Sequence, residues 1–344
     1  DDHMTNDDLT VFRERNTRKR LSNAAALIGK ADDAVFEACR PTGYAELDRC
    51  LGGGLTAGLH CLGAVPSLGK STYVMQMAEQ MAARGTHVIV FSMEMQSVDL
   101  AAKAVSRQLY MDWHETSAGL LRTSGELRNR TAFMKLTDRE WMAVAEAAGK
   151  VEKRSCTITV EECGAKAWTA ADIAQYVENY IAAFGVVPVV IVDYLQILAA
   201  PEGKGSLTDK QAVDESLRVL KSLSDSRKLP VVLISSLNRE SYDQPVSLRS
   251  YKDTGSIEYS CDTVLGMQYR GVGARDFDVF QAQGQNPREL EVCVLKQRYG
   301  AVGIRIPYRF YPAYSCFEEL PPARSGKPPK GSKKQMQDDG ILEV

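Results

Sequence analysis

Short apolar runs alternate with longer amphipathic stretches along most of this chain. The short runs are bounded by Gly, Pro or polar residues, which indicates buried β-strands, whereas apolar residues spaced three and four apart indicate helices. The predicted strands are a run that starts at Leu59 and the segments Thr86–Ser92, Cys156–Val160, Val186–Asp193, Pro230–Ser235, Thr263–Tyr269, Leu290–Gln297 and Val302–Tyr308. The predicted helices begin near Tyr73, Ser97, Asp138 and Thr169, include residues around 113–122, and end with a long helix that reaches about Arg227.

The run Val186–Asp193 is apolar almost throughout, which is typical of a central parallel strand that is covered on both faces. Because strands and helices alternate, we expect an α/β fold in which a mostly parallel, twisted sheet carries helices on both faces. The last two predicted strands are joined across Arg298-Tyr299-Gly300 and predict a C-terminal β-hairpin.

The two ends of the chain depart from this pattern. Residues 1–40 are charged and carry apolar residues at helical spacing, so they predict exposed helices that form an arm or a linker. Residues 41–320 predict the compact domain. The Pro, Gly, Lys and Ser of residues 321–344 predict a disordered basic tail, because they cannot bury enough apolar surface to fold.

The strand that starts at Leu59 leads through a short loop into Gly69-Lys70-Ser71 at the start of a helix. This layout is typical of a P-loop, in which backbone N–H groups surround phosphate oxygens, a lysine reaches the terminal phosphates and a hydroxyl holds Mg²⁺. A chance Gly-Lys-Ser is the weaker alternative, because strand and helix flank the motif as a P-loop requires, although Ala64 replaces its first glycine. The predicted nucleotide-binding residues are Ala64, Pro66, Ser67, Leu68, Gly69, Lys70, Ser71 and Thr72.

Two carboxylates are candidates for the hydrolysis of ATP. Asp193 ends the most apolar strand, where a charge is costly unless something binds it, so we predict that it holds Mg²⁺ together with Ser71. Glu94 ends the strand predicted beside the P-loop and can polarise the attacking water. The alternatives are a strand-end cap for Asp193 and a solvated surface residue for Glu94.

Composition argues against several other classes of site. The net charge of −2 gives no global positive field, so contacts with nucleic acid must come from a local patch or from several copies around one channel. The eight cysteines form no C-x-x-C pair, which argues against zinc and favours reduced thiols in the cytoplasm. The longest apolar run is far too short to span a membrane.

Six motifs occur in an order that is typical of one family. They are Ala64-Val65-Pro66-Ser67-Leu68-Gly69-Lys70-Ser71, Phe91-Ser92-Met93-Glu94-Met95, Asp193-Tyr194-Leu195-Gln196, Ser236-Leu237-Asn238-Arg239, Gly255-Ser256-Ile257-Glu258 and Lys296-Gln297-Arg298. Over about residues 41–318 the chain resembles the C-terminal motor domain of DnaB-type hexameric replicative helicases, a RecA-like P-loop ATPase. Several motifs in register make the resemblance specific, and alanine at position 64 is typical of this family.

The resemblance implies a role for each matching residue of the nucleotide site. Lys70 and Ser71 would bind the β- and γ-phosphates of ATP and Mg²⁺, and Asp193 would complete the shell of the metal. Glu94 would be the catalytic carboxylate.

The resemblance also implies that the active site exists only in an oligomer. Arg298, together with Lys296, would reach across a subunit boundary as an arginine finger, here in a homo-oligomeric ring of six. Without the motif, Arg298 is equally well a solvated residue of an exposed turn.

DNA contacts in this family come from loops that face the channel of the ring. The corresponding loops here are the one after Leu198 and the one from Asn238 to Gly255. Backbone contacts of this type bind any sequence and weaken with salt. The alternative is a solvated loop with ordinary charged residues. The predicted DNA-contacting residues are Arg249, Lys252, Asp253 and Gly255.

One departure from the family concerns its sensor. The family has a glutamine that senses the γ-phosphate and links it to the DNA loop, whereas this chain has Ser236 at that position. A serine hydroxyl is shorter, so it reaches the phosphate through a water or not at all. The coupling of hydrolysis to movement is therefore open at this position.

The resemblance implies an ATP-driven helicase that moves 5′→3′ on single-stranded DNA during replication. The alternatives are a RecA/KaiC-like ATPase switch that unwinds nothing and a non-hydrolysing, nucleotide-stabilised scaffold. The primase-binding N-terminal domain of the family has no counterpart here, so we expect either a piece of a longer primase–helicase or a minimal helicase of a phage or mobile element. Expected partners are single-stranded DNA, further copies of the chain, and a primase or helicase loader.

Overall fold

The computed structural model describes residues 39–163, 168–198, 208–238, 243–251 and 254–321, together with the helical residues 7, 10, 11 and 13. In this part of the chain one sheet contains β1 (Gly58–Ala64), β2 (Val88–Ser92), β3 (Ile158–Glu162), β4 (Val189–Asp193), β5 (Pro230–Ser236), β6 (Thr263–Tyr269), β7 (Arg288–Gln297), β8 (Arg305–Tyr311) and β9 (Cys316–Glu319). Their order across the sheet is β3-β2-β4-β5-β1-β6-β7-β8-β9. The predicted arm and tail lie almost entirely outside the described residues.

The sheet is parallel from β3 to β6 in that order and antiparallel from β6 to β9. Every residue of β1, β2, β4 and β6 is buried, because these strands carry the most continuous apolar runs and are covered on both faces. The predicted α/β fold, its mostly parallel sheet and the hairpin of β7 and β8 are confirmed. The edge strand β9 was not predicted.

Ten helices of the described residues connect and cover these strands. They are α1 (Ala45–Cys50), α2 (Lys70–Ala82), α3 (Ser97–Trp113), α4 (Ser124–Arg128), α5 (Arg130–Phe133), α6 (Asp138–Arg154), α7 (Ala170–Phe184), α8 (Asp209–Arg227), α9 (Thr254–Ser260) and α10 (Val279–Gly284). Capping boxes at Thr137, Thr169 and Thr208 fix the starts of α6, α7 and α8. The helix predicted around residues 113–122 is reduced to the end of α3 and a single turn at Ala118–Leu120. None of these described helices is long and apolar enough to cross a membrane.

The antiparallel strands hold α2 in place. The Tyr73 side chain of α2 is fully buried, and its hydroxyl lies 3.0 Å from the hydroxyl of Tyr308 on β8. The Gln76 side chain forms two hydrogen bonds with the backbone of Phe317 on β9, at 2.8 and 2.9 Å. The helix that begins at Lys70 is therefore anchored to the far end of the chain.

Candidate active site

The carboxyl ends of β1, β2, β4 and β5 meet at one edge of the sheet, where a cleft of about 410 Å³ opens. Parallel sheets bind ligands at this edge, because the loops that follow neighbouring strands diverge there. The predicted site residues that line the cleft are Pro66, Ser67, Gly69, Lys70, Ser71, Thr72, Glu94, Asp193 and Ser236. The structure therefore brings both predicted carboxylates to the predicted lysine and hydroxyl.

The loop between β1 and α2 turns sharply around the cleft. Ser67 and Gly69 have positive φ angles of 67° and 89°, and a Cβ atom at Gly69 would approach the Phe310 ring to 2.9 Å, so this position requires glycine. Ala64 instead lies in regular strand pairing with Ser236, which explains why alanine is tolerated there. Ala64 and Leu68 are buried beside the loop and do not line the cleft.

The Lys70 side chain folds back over this loop. Its Nζ donates a hydrogen bond of 2.9 Å to the backbone oxygen of Ala64. Burial lowers the pKa of the Lys70 ammonium, and the nearby Asp193 and Glu94 carboxylates partly oppose that shift. A phosphate in the cleft would provide an anionic partner at the position where this cation is now partly desolvated.

Asp193 is only 6% exposed at the end of β4. Burial raises the pKa of its carboxyl group, while a hydrogen bond with the Ser71 side chain acts in the opposite direction. A buried carboxylate beside a hydroxyl is the hard oxygen donor set that Mg²⁺ prefers in sites completed by phosphate and water. The two side chains therefore fit the metal that the motif implies.

Replacing Asp193 by asparagine should raise the melting temperature of the nucleotide-free protein at neutral pH and lower ATP hydrolysis about 100-fold or more. Because the folded-state pKa is raised, the ionised carboxylate costs stability above its unfolded pKa, and this cost disappears as the pH falls. The gain in melting temperature should therefore shrink in acid. Thermal denaturation across pH and an ATPase assay measure both effects, and a lower melting temperature at neutral pH would contradict the prediction.

Glu94 is exposed in a turn that follows β2 and is closed by Ser92. The Ser92 hydroxyl donates to the backbone oxygen of Met95 at 2.7 Å and accepts from its N–H at 3.2 Å. This turn directs residues 94 and 95 to the cleft, opposite the P-loop. A carboxylate in that position can orient a water molecule for attack on a phosphate.

Lys103 is a cleft residue that the sequence analysis missed. It lies on α3, and its Nζ donates to Sδ of Met95 at 3.6 Å. Burial and the nearby Arg107 lower the pKa of this ammonium, whereas Asp193 opposes the shift. The available signal was a lysine flanked by alanines on a helix that follows Glu94, which makes it a cation on a buried helix face.

Arg298 does not reach this cleft from within its own chain. Its Nη1 lies 2.8 Å from Oδ1 of Asp262, and its N–H donates to the Asp262 backbone oxygen at 2.9 Å. Asp262 is tied to Leu59 at the start of β1, whereas the P-loop follows the end of β1. A strand of seven residues spans about 20 Å, so Arg298 and the P-loop lie at opposite ends of β1.

Lys296 contacts its own chain as well. Its Nζ donates to the backbone oxygens of Glu258 and, at 2.7 Å, of Cys261. These carbonyl groups lie at the carboxyl end of α9, where a cation is favourable because of the helix dipole. The structure therefore places Lys296 at a helix end and not beside Lys70.

The predicted DNA-contacting residues are only partly described. Arg249 is exposed in a short turn at Leu248–Ser250, and Gly255 is exposed at the start of α9. Lys252, Asp253 and the loop of residues 199–207 lie outside the described residues.

Tyr251 anchors the base of this loop, a role that the sequence analysis missed. Its hydroxyl donates to the backbone oxygen of Leu265, and its ring lies so close to Gly63 of β1 that a Cβ atom there would be 2.5 Å away. The loop is therefore fixed to the strand that leads into the P-loop.

Comparison with known proteins gives a consistent result. Residues 40–319 match the family described as the DnaB-like helicase C terminal domain. The replicative DNA helicases DnaB of Haemophilus influenzae and Geobacillus stearothermophilus are 26% and 27% identical over 284 residues, which cover 81% of this chain and 55% and 56% of theirs. The chain thus spans about half the length of these curated relatives.

Solved structures agree on the fold. An ATPase domain solved on its own superposes with a TM-score of 0.71 at 18% identity, covering 88% of this chain and 99% of that one. A DnaB-like replicative helicase, solved in a study of its interactions with primase, gives a TM-score of 0.70 at 18% identity and covers 88% of this chain and 67% of that one. Because the family match spans most of the sequence and carries the cleft with it, this chain belongs to the family of DnaB-like helicase C-terminal domains.

Proposed function

We propose that this chain is the motor of a replicative DNA helicase, which hydrolyses ATP with Mg²⁺ and moves 5′→3′ along single-stranded DNA. The observation that carries the proposal is the division of the predicted catalytic groups between two ends of β1. Lys70, Asp193 and Glu94 share one cleft, whereas Arg298 lies about one strand length away. A site divided in this way is completed by a second copy of the chain.

The cleft residues have distinct roles in the proposed reaction. The backbone of the P-loop and Lys70 bind the β- and γ-phosphates, and the oxygens of Ser71 and Asp193 hold the metal. Bound Mg²⁺ would supply neutralisation of charge on the phosphate oxygens. Glu94 orients the attacking water, and the partly buried ammonium of Lys103 adds positive charge near the reacting group.

Arg298 acts on the nucleotide of the neighbouring subunit in this proposal. Its side chain is 47% exposed, so it can exchange Asp262 for a phosphate of a neighbour. Asp262 would not be left unpaired, because Lys221 lies 2.8 Å from its other carboxylate oxygen. A repeated head-to-tail contact of this kind closes into a ring, and we propose a ring of six.

The proposal assigns DNA contact to the loop that contains Arg249, Lys252, Asp253 and Gly255. Several copies of a modest basic patch around a channel can bind DNA even though the net charge of one chain is −2. The proposal includes a primase or a helicase loader as a partner, and a cytoplasmic location, because a replication motor must reach the replicating DNA.

Stimulation of ATP hydrolysis by single-stranded DNA tests this function. We expect oligo-dT to raise the hydrolysis rate about tenfold, duplex DNA of the same length to have a weaker effect, and a forked duplex with a 5′ tail to be unwound. The assembly state is followed in parallel by native mass spectrometry with and without ATP and Mg²⁺. A rate that does not change with DNA, together with an absence of unwinding, would favour the ATPase switch instead.

A further inference from the structure

The strands that carry Asp193 and Ser236 separate just before they reach the cleft. The pairing of β4 with β5 ends at Val192 and Leu233. β5 remains paired with β1 up to Ser236, and β4 remains paired with β2 up to Asp193. The end of the metal-binding strand and the end of the sensor strand are therefore held by different neighbours, which leaves room for a relative displacement between them.

The side chain of Gln196 bridges this separation. Gln196 lies in the short turn Leu195–Ile197 that follows β4, and the neighbouring Leu195 is buried in the core, which fixes the turn. The amide nitrogen of Gln196 donates to the hydroxyl of Ser235 at 2.7 Å, and its amide oxygen accepts from the backbone N–H of Ser236 at 3.4 Å. Ser235 is fully buried, so water does not compete for its hydroxyl.

The chain beyond Ser236 forms the stem of the loop that contains the candidate DNA-contacting residues. Leu237 and Tyr251 form an isolated bridge, and the N–H of Asn238 donates to the backbone oxygen of Ser250 at 2.8 Å. A displacement of Ser236 is therefore transmitted directly to both sides of this stem.

We propose that Gln196 is a positioning residue that couples the nucleotide cleft to this loop. It supplies from β4 the amide that a serine at position 236 cannot supply from β5. An amide is suited to this task because it donates and accepts at once, so one side chain holds both Ser235 and Ser236 to the strand that carries Asp193. The proposal rests on the proposed function, since it explains how a motor without the sensor glutamine communicates with DNA.

The dependence of DNA affinity on the bound nucleotide tests the proposal. The Kd of fluorescent oligo-dT is measured by anisotropy with a non-hydrolysable ATP analogue and Mg²⁺, and again with ADP and Mg²⁺. We expect Gln196→Met, which keeps the volume and removes both hydrogen bonds, to reduce the ratio of the two Kd values about fivefold or more. Gln175→Ala, an exposed glutamine on α7, is the control and should leave the ratio unchanged.

Two further variants separate coupling from packing. Gln196→Ala should have the same effect as Gln196→Met, and Ser236→Gln in the Gln196→Met background should restore part of the lost ratio by supplying an amide from β5. By thermodynamic linkage, the effect of oligo-dT on the affinity for the ATP analogue should fall by the same factor. A loss of the ratio in Gln196→Ala alone would identify a packing effect and overturn the proposal.

The outcomes distinguish this inference from the function on which it rests. A wild-type protein whose DNA affinity is the same with both nucleotides would overturn the proposed motor and this proposal with it. A wild-type protein that responds to nucleotide, together with Gln196 variants that respond equally, would overturn the role of Gln196 alone.

Discussion

Replacing Lys70 by alanine should lower the rate of ATP hydrolysis about 100- to 1,000-fold and leave the fold intact. In the nucleotide-free protein the ammonium of Lys70 is partly buried, its pKa is lowered by that burial, and its hydrogen bond is made to the backbone oxygen of Ala64. Its charge is thus of little use to the folded state and becomes favourable only when phosphate enters the cleft. The loss should therefore be found in kcat and in nucleotide affinity, and not in the melting temperature.

Two variants provide the controls for this experiment. Lys153→Ala makes the same change on an exposed turn of α6 and should behave like the wild type. Lys70→Arg keeps the charge but replaces a compact ammonium by a planar group and should recover little of the rate. Hydrolysis that persists in Lys70→Ala, with the protein folded, would mean that the cleft is not the nucleotide site.

Much of the cleft could be predicted because of a property of parallel sheets. Asp193 and Glu94 each follow a strand whose apolar run is visible in the sequence, and the carboxyl ends of parallel strands lie at one edge. Identifying the strands was therefore enough to bring these residues to Lys70 before any side chain was placed. Their chemical roles stay predictions, since geometry alone does not measure a rate.

The residues that were missed are those whose importance depends on tertiary packing. Lys103 reaches the cleft because α3 packs beside β2, and helical periodicity does not identify the strand that faces a given turn. The role of Gln196 depends on where the pairing of β4 and β5 ends, which their apolar runs do not reveal. Strand β9 is short and was found only through its contacts with Gln76 and with β8.

The location of Arg298 also required the order of the strands. The sequence indicates a charged turn between two strands, which is equally suited to a solvated residue and to a finger. The pairing of β7 with β6 brings Arg298 to Asp262, and the pairing of β6 with β1 brings Asp262 to the start of the P-loop strand. Only this chain of neighbours excludes action on the nucleotide of the same subunit.

A mixture of two inactive variants should therefore recover activity. Arg298→Ala should lower hydrolysis about 1,000-fold or more, because an arginine finger stabilises the charge of the transition state. Its P-loop is intact, however, and the Lys70→Ala chain has an intact Arg298. In rings formed from equal amounts of the two, about one quarter of the interfaces combine a functional P-loop with a functional finger, so hydrolysis should rise far above the sum of the two separate samples.

The fold should survive the loss of Arg298, because Lys221 still neutralises Asp262. Arg309→Ala, on an exposed position of β8, makes the same change away from Asp262 and should not complement Lys70→Ala beyond what wild-type chains do. Native mass spectrometry establishes that both variants enter the same rings. If mixed rings form and hydrolysis equals the sum of the separate samples, Arg298 does not act across the interface. The two ends of β1 would then belong to unrelated sites, and the proposed motor would lose the contact that makes its assembly necessary for hydrolysis.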